Sequence, residues 1–375
     1  MHYTRRCWAE VDLDAVLSNF AVLKKRLGKT LPIAVVKADG YSHGALPIAQ
    51  ILQKEEGVKA FAVSNLDEAE QLRSGGILGL ILILGYTPPE EAKRLHSFKI
   101  TQTILSQEYA DKLNEYAKNT NVVLPVHIAL DTGMNRVGFS AYDVNPQKLR
   151  WSNLSIEGAF THFCHADSYD SSAREFTKRQ ADLFEKASKG IPCRHLQNTA
   201  GVLTEMGTGY DFARLGIALY GLTPSTELKE SGLKPAMSFK SVVSMVKTIP
   251  AGSFVGYGRT WRAERETKVA TVSAGYADGY PHKLSNNAEV LVRGKKLKVI
   301  GTVCMDQLML DATGTDVAMG DEATLFGKDG ENIITVDDLA KKAETIGYEI
   351  ICMISKRAPR VYIKDGREIY AQVWV

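Results

Sequence analysis

Along the first 215 residues, short apolar runs rich in Val, Ile and Leu alternate with longer stretches of helical periodicity. The runs fall at Pro32–Lys37, Lys59–Val63, Leu80–Leu84, Ile100–Thr103, Val122–Leu130, Leu154–Thr161, Pro192–Gln197 and Asp211–Arg214. Helices are expected between them, at Ala45–Gln53, Leu66–Arg73, Pro88–Leu95, Glu108–Asn119 and Ser172–Ala187. Short runs bounded by turn signals and separated by helices indicate βα units and a parallel sheet. Eight such units in about 230 residues match the size of a (β/α)8 barrel. The competing arrangement is an open doubly wound sheet. It is weakened because no G-x-G-x-x-G follows the first run.

After Lys234 the texture changes. Helical patterns vanish until Val336–Ile346, and β-rich pieces with Gly turns take their place. They lie at Phe239–Ile249, Thr267–Ser273, Glu289–Val292, Leu297–Met305, Glu322–Phe326 and Val361–Tyr362. The chain therefore reads as an α/β protein with a barrel at 1–234 and a mainly-β domain at 235–375. The boundary is placed in Pro224–Pro235, where Pro, Ser, Gly and charges cluster.

Composition narrows the classes of function. Apolar residues at 45% and charged residues at 24% are ordinary for a globular protein and exclude a disordered or fibrous one. A net charge of +3 gives no ground for a nucleic-acid partner, which needs a concentrated basic face. The longest apolar run, Gly76–Gly85, is far short of the ~20 residues of a membrane helix. The N-terminus, MHYTRRCWAEVDLD, lacks the apolar core of a signal peptide, so a cytoplasmic location is expected. Five scattered cysteines without a C-x-x-C pair suggest free thiols, not a disulfide framework or a zinc site.

In a barrel, chemistry collects where the strands end. The first run ends at Lys37, followed by Ala-Asp-Gly-Tyr41-Ser-His43-Gly. A lysine rooted in apolar surroundings is available as the neutral amine, which serves as nucleophile or base; otherwise such a side chain merely snorkels to water. The seventh and eighth runs lead into Asn198-Thr199 and Gly216-Ile217, the usual position of a barrel phosphate site. Gly216 reads equally well as a plain turn glycine. A lysine able to form a Schiff base, facing a phosphate site, suggests pyridoxal 5'-phosphate. His162, Asp39, Asp131, His43 and His127 each carry an ordinary structural reading as core or turn residues. Cys304 is adjacent to Met305, and the sequence does not show its exposure.

The sequence resembles the alanine racemases, two-domain fold-type III enzymes dependent on pyridoxal 5'-phosphate. The resemblance rests on AVVKADGYSHG (34–44), DTGMNRVG (131–138), THF (161–163), QNTAG (197–201) and RLGIALYG (214–221). It continues through VGYGRTW (255–261), GYADGYP (275–281), GTVCMDQ (301–307) and ISKRAPR (354–360). It implies that Lys37 holds the cofactor covalently and acts as one of two bases, with Tyr257 as the other. Tyr41, Asn198, Thr199, Gly216 and Ile217 would bind the cofactor phosphate region. Arg214 would face the pyridine nitrogen, with His162 beside it. Arg136, Met305 and Asp306 would bind the substrate. Family members place Tyr257, Met305 and Asp306 in the partner subunit's site, which implies a homodimer with shared sites and D-alanine for cell-wall synthesis as product.

Two positions depart from the family pattern. Ala129 stands where a carbamate-bearing lysine is common, so a small bound anion is expected to compensate beside Arg136. Lys356 stands where a tyrosine is common and would contact the cofactor phosphate. Both departures leave the substrate open between alanine, serine and a broader set of small amino acids. Other readings are a pyridoxal-phosphate-binding regulatory protein and a fold-type III decarboxylase. The first lacks a β domain, and the second fits VGYGRTW and CMDQ less well.

Overall fold

All eight apolar runs become strands. The computed structural model describes residues 3–228 and 232–374. Strand β1 (Cys7–Asp12) comes first and belongs elsewhere. The runs follow as β2 (Leu31–Val35), β3 (Ala60–Val63), β4 (Leu80–Ile83), β5 (Thr101–Ile104), β6 (Leu124–Asp131), β7 (Leu154–Phe160), β8 (Cys193–His195) and β9 (Phe212–Leu215). They pair in parallel in the order β5–β4–β3–β2–β9–β8–β7–β6, and pairing of β5 with β6 closes the barrel. Strands sealed on both faces need no polar alternation, and β3 (AFAV) is buried at every position. Helices begin where the sequence offers a cap: Asn65 accepts from the Glu68 N–H and Ser106 from the Tyr109 N–H.

The register sets up the site. Strand β9 lies between β2 and β8, with Leu215 opposite Ala34 and Phe212 opposite His195. The loops that leave β2, β8 and β9 therefore emerge side by side on one rim.

The first run was expected to stay extended to Lys37, but β2 ends at Val35. Beyond it the backbone turns with the opposite hand. Ala38 (φ 52, ψ 49), Asp39 (φ 52, ψ 47) and Gly40 (φ 62, ψ 42) are left-handed, and Tyr41 (φ 52) and Ser42 (φ 64) also have positive φ. Each non-glycine residue there costs roughly 1–2 kcal/mol. The turn is held by Gly40 N–H to the Val36 carbonyl (2.8 Å) and Gly44 N–H to the Asp39 carbonyl (2.8 Å). Ala38 N–H to Glu68 Oε1 (2.8 Å) and Ala45 N–H to Asp39 Oδ1 (2.9 Å) complete it. Asp39 is thus a turn residue.

The described residues form two compact units. One lies within Ala15–Gly40 and Gly44–Lys234 and contains the barrel; the other lies within Met1–Asp14, Tyr41–His43 and Pro235–Val375. The second holds β10 (Met237–Ile249), β11 (Thr267–Val272), β12 (Glu289–Val292), β13 (Leu308–Asp311), β14 (Glu322–Asp329), β15 (Arg360–Lys364) and β16 (Arg367–Gln372). Strand β1 pairs antiparallel with β10 and parallel with β15. This differs from a barrel domain spanning 1–234, because β1 buries Trp8 and Val11 in the β unit. Leu297–Met305 also differs from the expected single strand. Pairing stops after Lys298 and an isolated bridge at Val299, and Gly301 at φ 75 breaks the pleat.

A buried arginine explains why Tyr41–His43 groups with the β unit. Arg360 Nε donates to the Ser42 carbonyl (2.7 Å). Its Nη1 donates to the carbonyls of Ser355 (2.7 Å) and Ala358 (2.5 Å), and its Nη2 to that of Ile354 (2.7 Å). One cation thereby clips the ISKRAPR segment to the residue after Tyr41. Among the described residues, no helix is long and apolar enough to cross a membrane.

Candidate active site

The barrel unit carries Lys37, Arg136, His162, Asn198, Thr199, Arg214, Gly216 and Ile217. Lys37 opens the left-handed turn after β2 and is half-buried. Arg214, on β9, is 3% exposed. Its Nη1 donates to His195 Nδ1 (2.6 Å) and the His195 carbonyl (3.1 Å). Its Nη2 donates to the carbonyls of Thr161 (2.6 Å) and Leu196 (3.1 Å) and points at His162 Nδ1 (3.4 Å). The guanidinium lies 5.1 Å from the Phe160 ring centre. Burial first, and then Arg136, push its pKa down to about 9, so it remains a cation at neutral pH. Among the described residues its Nε–H reaches no acceptor, which leaves a directed donor on a desolvated cation.

His162 follows β7. Asn198 Nδ2 stands 3.4 Å from its Nε2 and donates to the Phe163 carbonyl (3.1 Å). Burial, then Arg214, Arg136 and Lys37 in that order, hold the imidazole well below its usual pKa, so the ring is neutral.

Asn198 caps the short helix Thr199–Leu203 by accepting from the Gly201 N–H (2.9 Å). Thr199 Oγ1 accepts from the Gly216 N–H (2.8 Å), which ties the loop after β8 to the loop after β9. A 3-10 turn, Ile217–Tyr220, starts there. Together they place a hydroxyl and backbone N–H groups on the rim that carries Lys37. Arg136 is exposed on the loop after β6. Asp131 Oδ1 accepts from Gly133 N–H (2.9 Å) and Asn135 N–H (3.0 Å), shaping that loop as a turn residue. A Cβ on Gly138 would stand 2.9 Å from the buried Ala129 carbonyl, so the loop folds directly over Ala129.

The β unit carries Tyr41, Tyr257, Met305, Asp306 and Lys356. The Tyr41 ring is buried, 6.1 Å from that of Tyr348, and burial pushes its phenol pKa up, so it stays a neutral hydroxyl. Tyr257 is 75% exposed between Gly256 (φ 74) and Gly258 (φ 71). Its carbonyl accepts from Thr302 Oγ1 (2.9 Å), which brings the 257 and 302–307 segments together. A cavity of about 530 Å³ opens there, lined by Tyr257, Cys304, Gln307, Met309, Met245 and Phe254. Met305 is 52% exposed. Its loop lies flat on Gly275, where a Cβ would meet the Met305 carbonyl at 2.4 Å. The N–H groups of Tyr276 and Ala277 donate to the Cys304 and Met305 carbonyls at 3.0 Å each. Asp306 is exposed but pinned by Arg357 Nη2 (2.7 Å), whose Nε lies 3.7 Å from the buried Asp278. Arg6 closes on the other side of Asp278. Lys356 is exposed in the segment clipped by Arg360. The histidine holding Arg214 and the arginine pinning Asp306 were not singled out from sequence. A histidine at a barrel strand end, and the Arg beside Lys356, were the available signals.

Comparison with known proteins adds the following. Residues 11–224 match the model of the alanine racemase N-terminal domain, and residues 236–362 match that of the C-terminal domain. Alanine racemase 1 of Clostridium acetobutylicum is 40% identical over 387 residues, covering 100% of this chain and 99% of the relative. The solved alanine racemase of Clostridium difficile 630 superposes with a TM-score of 0.92 at 35% identity, covering 99% of both chains. A solved histidine racemase from Leuconostoc mesenteroides subsp. sake gives 0.87 at 30% identity, covering 97% of this chain and 99% of that one.

Proposed function

The chain belongs to the alanine racemase family, and on that premise we propose that it interconverts L- and D-alanine with pyridoxal 5'-phosphate as cofactor. The observation that carries the reading is the donor set on one rim: Lys37, the tied Thr199–Gly216 loops and a buried Arg214 with one N–H still to give. Those groups fit the cofactor. The amine would be the covalent anchor, the Thr199 hydroxyl and the N–H groups of Asn198, Thr199 and Ile217 suit the phosphate region beside Gly216, whose own N–H is spent on Thr199, and the Arg214 Nε–H suits the ring nitrogen. The family resemblance would assign Tyr41 and Lys356 to the phosphate as well. When bound, the cofactor withdraws electrons and so stabilises negative charge at the substrate Cα.

Racemisation needs one base on each face of Cα. Lys37 Nζ takes or returns the proton on one face. Tyr257 Oη does so on the other, reaching the site from the partner subunit, as its exposure on a chain alone is consistent with. Arg136, Met305 and Asp306 orient the substrate carboxylate. Because Arg214 is a cation, its Nε–H would donate to the ring nitrogen of the bound cofactor and hold that nitrogen unprotonated. A small anion beside Ala129 balances Arg136. A cytoplasmic location agrees with this chemistry.

A broader substrate range is the second reading. It is favoured by Lys356 and Ala129 and by the likeness to a histidine racemase. Borohydride reduction of the loaded protein should fix the cofactor on the peptide containing Lys37; another labelled lysine overturns the mechanism. Racemisation assays across alanine, serine, histidine, lysine and arginine then rank the substrates. Mixing inactive Lys37→Ala and Tyr257→Phe chains should restore activity through heterodimers. Subunit exchange without recovery refutes the shared site.

A further inference from the structure

Behind Arg214 the barrel interior holds a chain of rings that the chemistry above does not use. His195 on β8 and His127 on β6 are both buried, and His195 Nε2 lies 2.9 Å from His127 Nδ1. Strand β7 stands between their strands, so the two side chains bond across it. Gly158 makes that crossing feasible. It pairs with His127 on one side and Cys193 on the other. A Cβ there would stand 2.7 Å from His127 Cε1 and Nε2. The β6–β7 register also shifts between Val126 and His127. Phe160 stacks on the His195 ring at 5.0 Å and 18°.

The donors fix the protons. A guanidinium only donates, so His195 Nδ1, 2.6 Å from Arg214 Nη1, must be a bare acceptor. The His195 proton is then on Nε2 and points at His127, whose Nδ1 must in turn be bare. The opposite tautomer of His195 would set two N–H groups head to head at the Arg214 contact. We infer that His127 is a positioning residue: by accepting from His195 Nε2–H it anchors the ring in the orientation from which Nδ1 holds the Arg214 guanidinium. This rests on the cofactor role given to Arg214 above. Burial keeps both rings neutral, pushing His127 down to about 4 and His195 well below its usual value. No stray proton therefore scrambles the chain near neutral pH.

The test uses the full-length protein, with and without pyridoxal 5'-phosphate. Histidine ¹⁵N shifts should show His195 as a single Nε2–H tautomer. His127→Leu keeps the bulk but removes the acceptor. The His195 Nε2–H should then lose its hydrogen-bonded shift while Nδ1 stays bare against Arg214, and kcat should fall several-fold with KM little changed, about the worth of one hydrogen bond between neutral groups. His127→Asn offers a carbonyl oxygen near the lost nitrogen and should recover most of the rate. An unchanged His195 Nε2–H shift in His127→Leu overturns the inference, as does an Asn variant as slow as the Leu variant. If His127→Leu does not fold, Gly158→Ala displaces the His127 ring from below and carries the same readouts. The shifts are read without turnover, so failure of the tautomer chain and failure of Lys37 labelling remain separate results.

Discussion

Each unit of the chain buries an arginine that meets backbone carbonyls, and the two are used differently. Arg360 in the β unit directs Nε and both Nη atoms at the carbonyls of Ser42, Ile354, Ser355 and Ala358. Arg214 in the barrel unit spends its two Nη atoms on carbonyls and imidazoles, and its Nε–H reaches no acceptor among the described residues. Burial alone therefore does not mark a functional cation. What marks it is a donor left over, aimed by neighbours that are themselves fixed. The carbonyls around Arg360 make it a structural clip, and the spare donor of Arg214 makes it a reader of something not encoded in the chain.

The contrast is most exposed to failure at Arg360. Arg360→Met strips four carbonyls of their donor inside the β unit and should cost about 3–5 kcal/mol of stability by denaturant titration. Protein that remains folded should keep most of its kcat. Arg214→Gln also strips carbonyls and should cost stability on a similar scale, but the protein that remains folded should in addition lose about a hundred-fold in kcat. An Arg214→Gln variant that races near the parent rate, or an Arg360→Met variant as stable as the parent, would dissolve the distinction.

Acid sharpens it further. Carbonyls do not titrate, but two of the acceptors facing Arg214 are imidazoles. The His127 pKa is about 4 in the folded chain and near 6.5 when unfolded. As pH falls, the unfolded state takes up the proton first. The stability this ring contributes is complete above ~6.5 and drains away as pH drops toward about 4. His162 and His195 act in the same direction. Urea midpoints followed over that window should fall, and His127→Asn should flatten the curve by about one proton.

The smallest effect concerns the segment that Arg360 clips. A tyrosine at 356 would bring a rigid ring, whereas Lys356 brings a flexible stem and a point charge. Lys356→Tyr should shift the serine-to-alanine ratio of kcat/KM toward alanine by several-fold, the scale of one hydrogen bond of ~0.5–1.5 kcal/mol. An unmoved ratio excludes Lys356 from substrate choice.

The barrel was legible because strands such as β3 (AFAV) and β4 (LILI) are closely buried and so appear as unbroken apolar runs. Strand β1 was not legible as part of the β unit. Its sequence, CWAEVD, is apolar enough to be a strand, but its partners lie more than 200 residues away at Phe239 and Arg360. Lys37, Thr199, Gly216 and Arg214 could be placed on one rim because strand ends are local features. The hold on Arg214 could not, since it depends on His195 and His127 meeting across a glycine of a third strand. Tyr257 and Asp306 were identified through motif resemblance, while their anchoring by Thr302 and Arg357 is visible only in the folded chain.

The turn after Lys37 has one more consequence, which concerns chirality in the polypeptide itself. Where an L-residue is held at φ near +52°, its mirror-image counterpart is at ease. Ala38 is exposed, and its N–H is already engaged by Glu68. A semisynthetic chain carrying D-alanine at this one position should therefore gain stability, by roughly 1–2 kcal/mol. Ala38→Gly, which would weaken an ordinary right-handed helix, should recover part of that gain here.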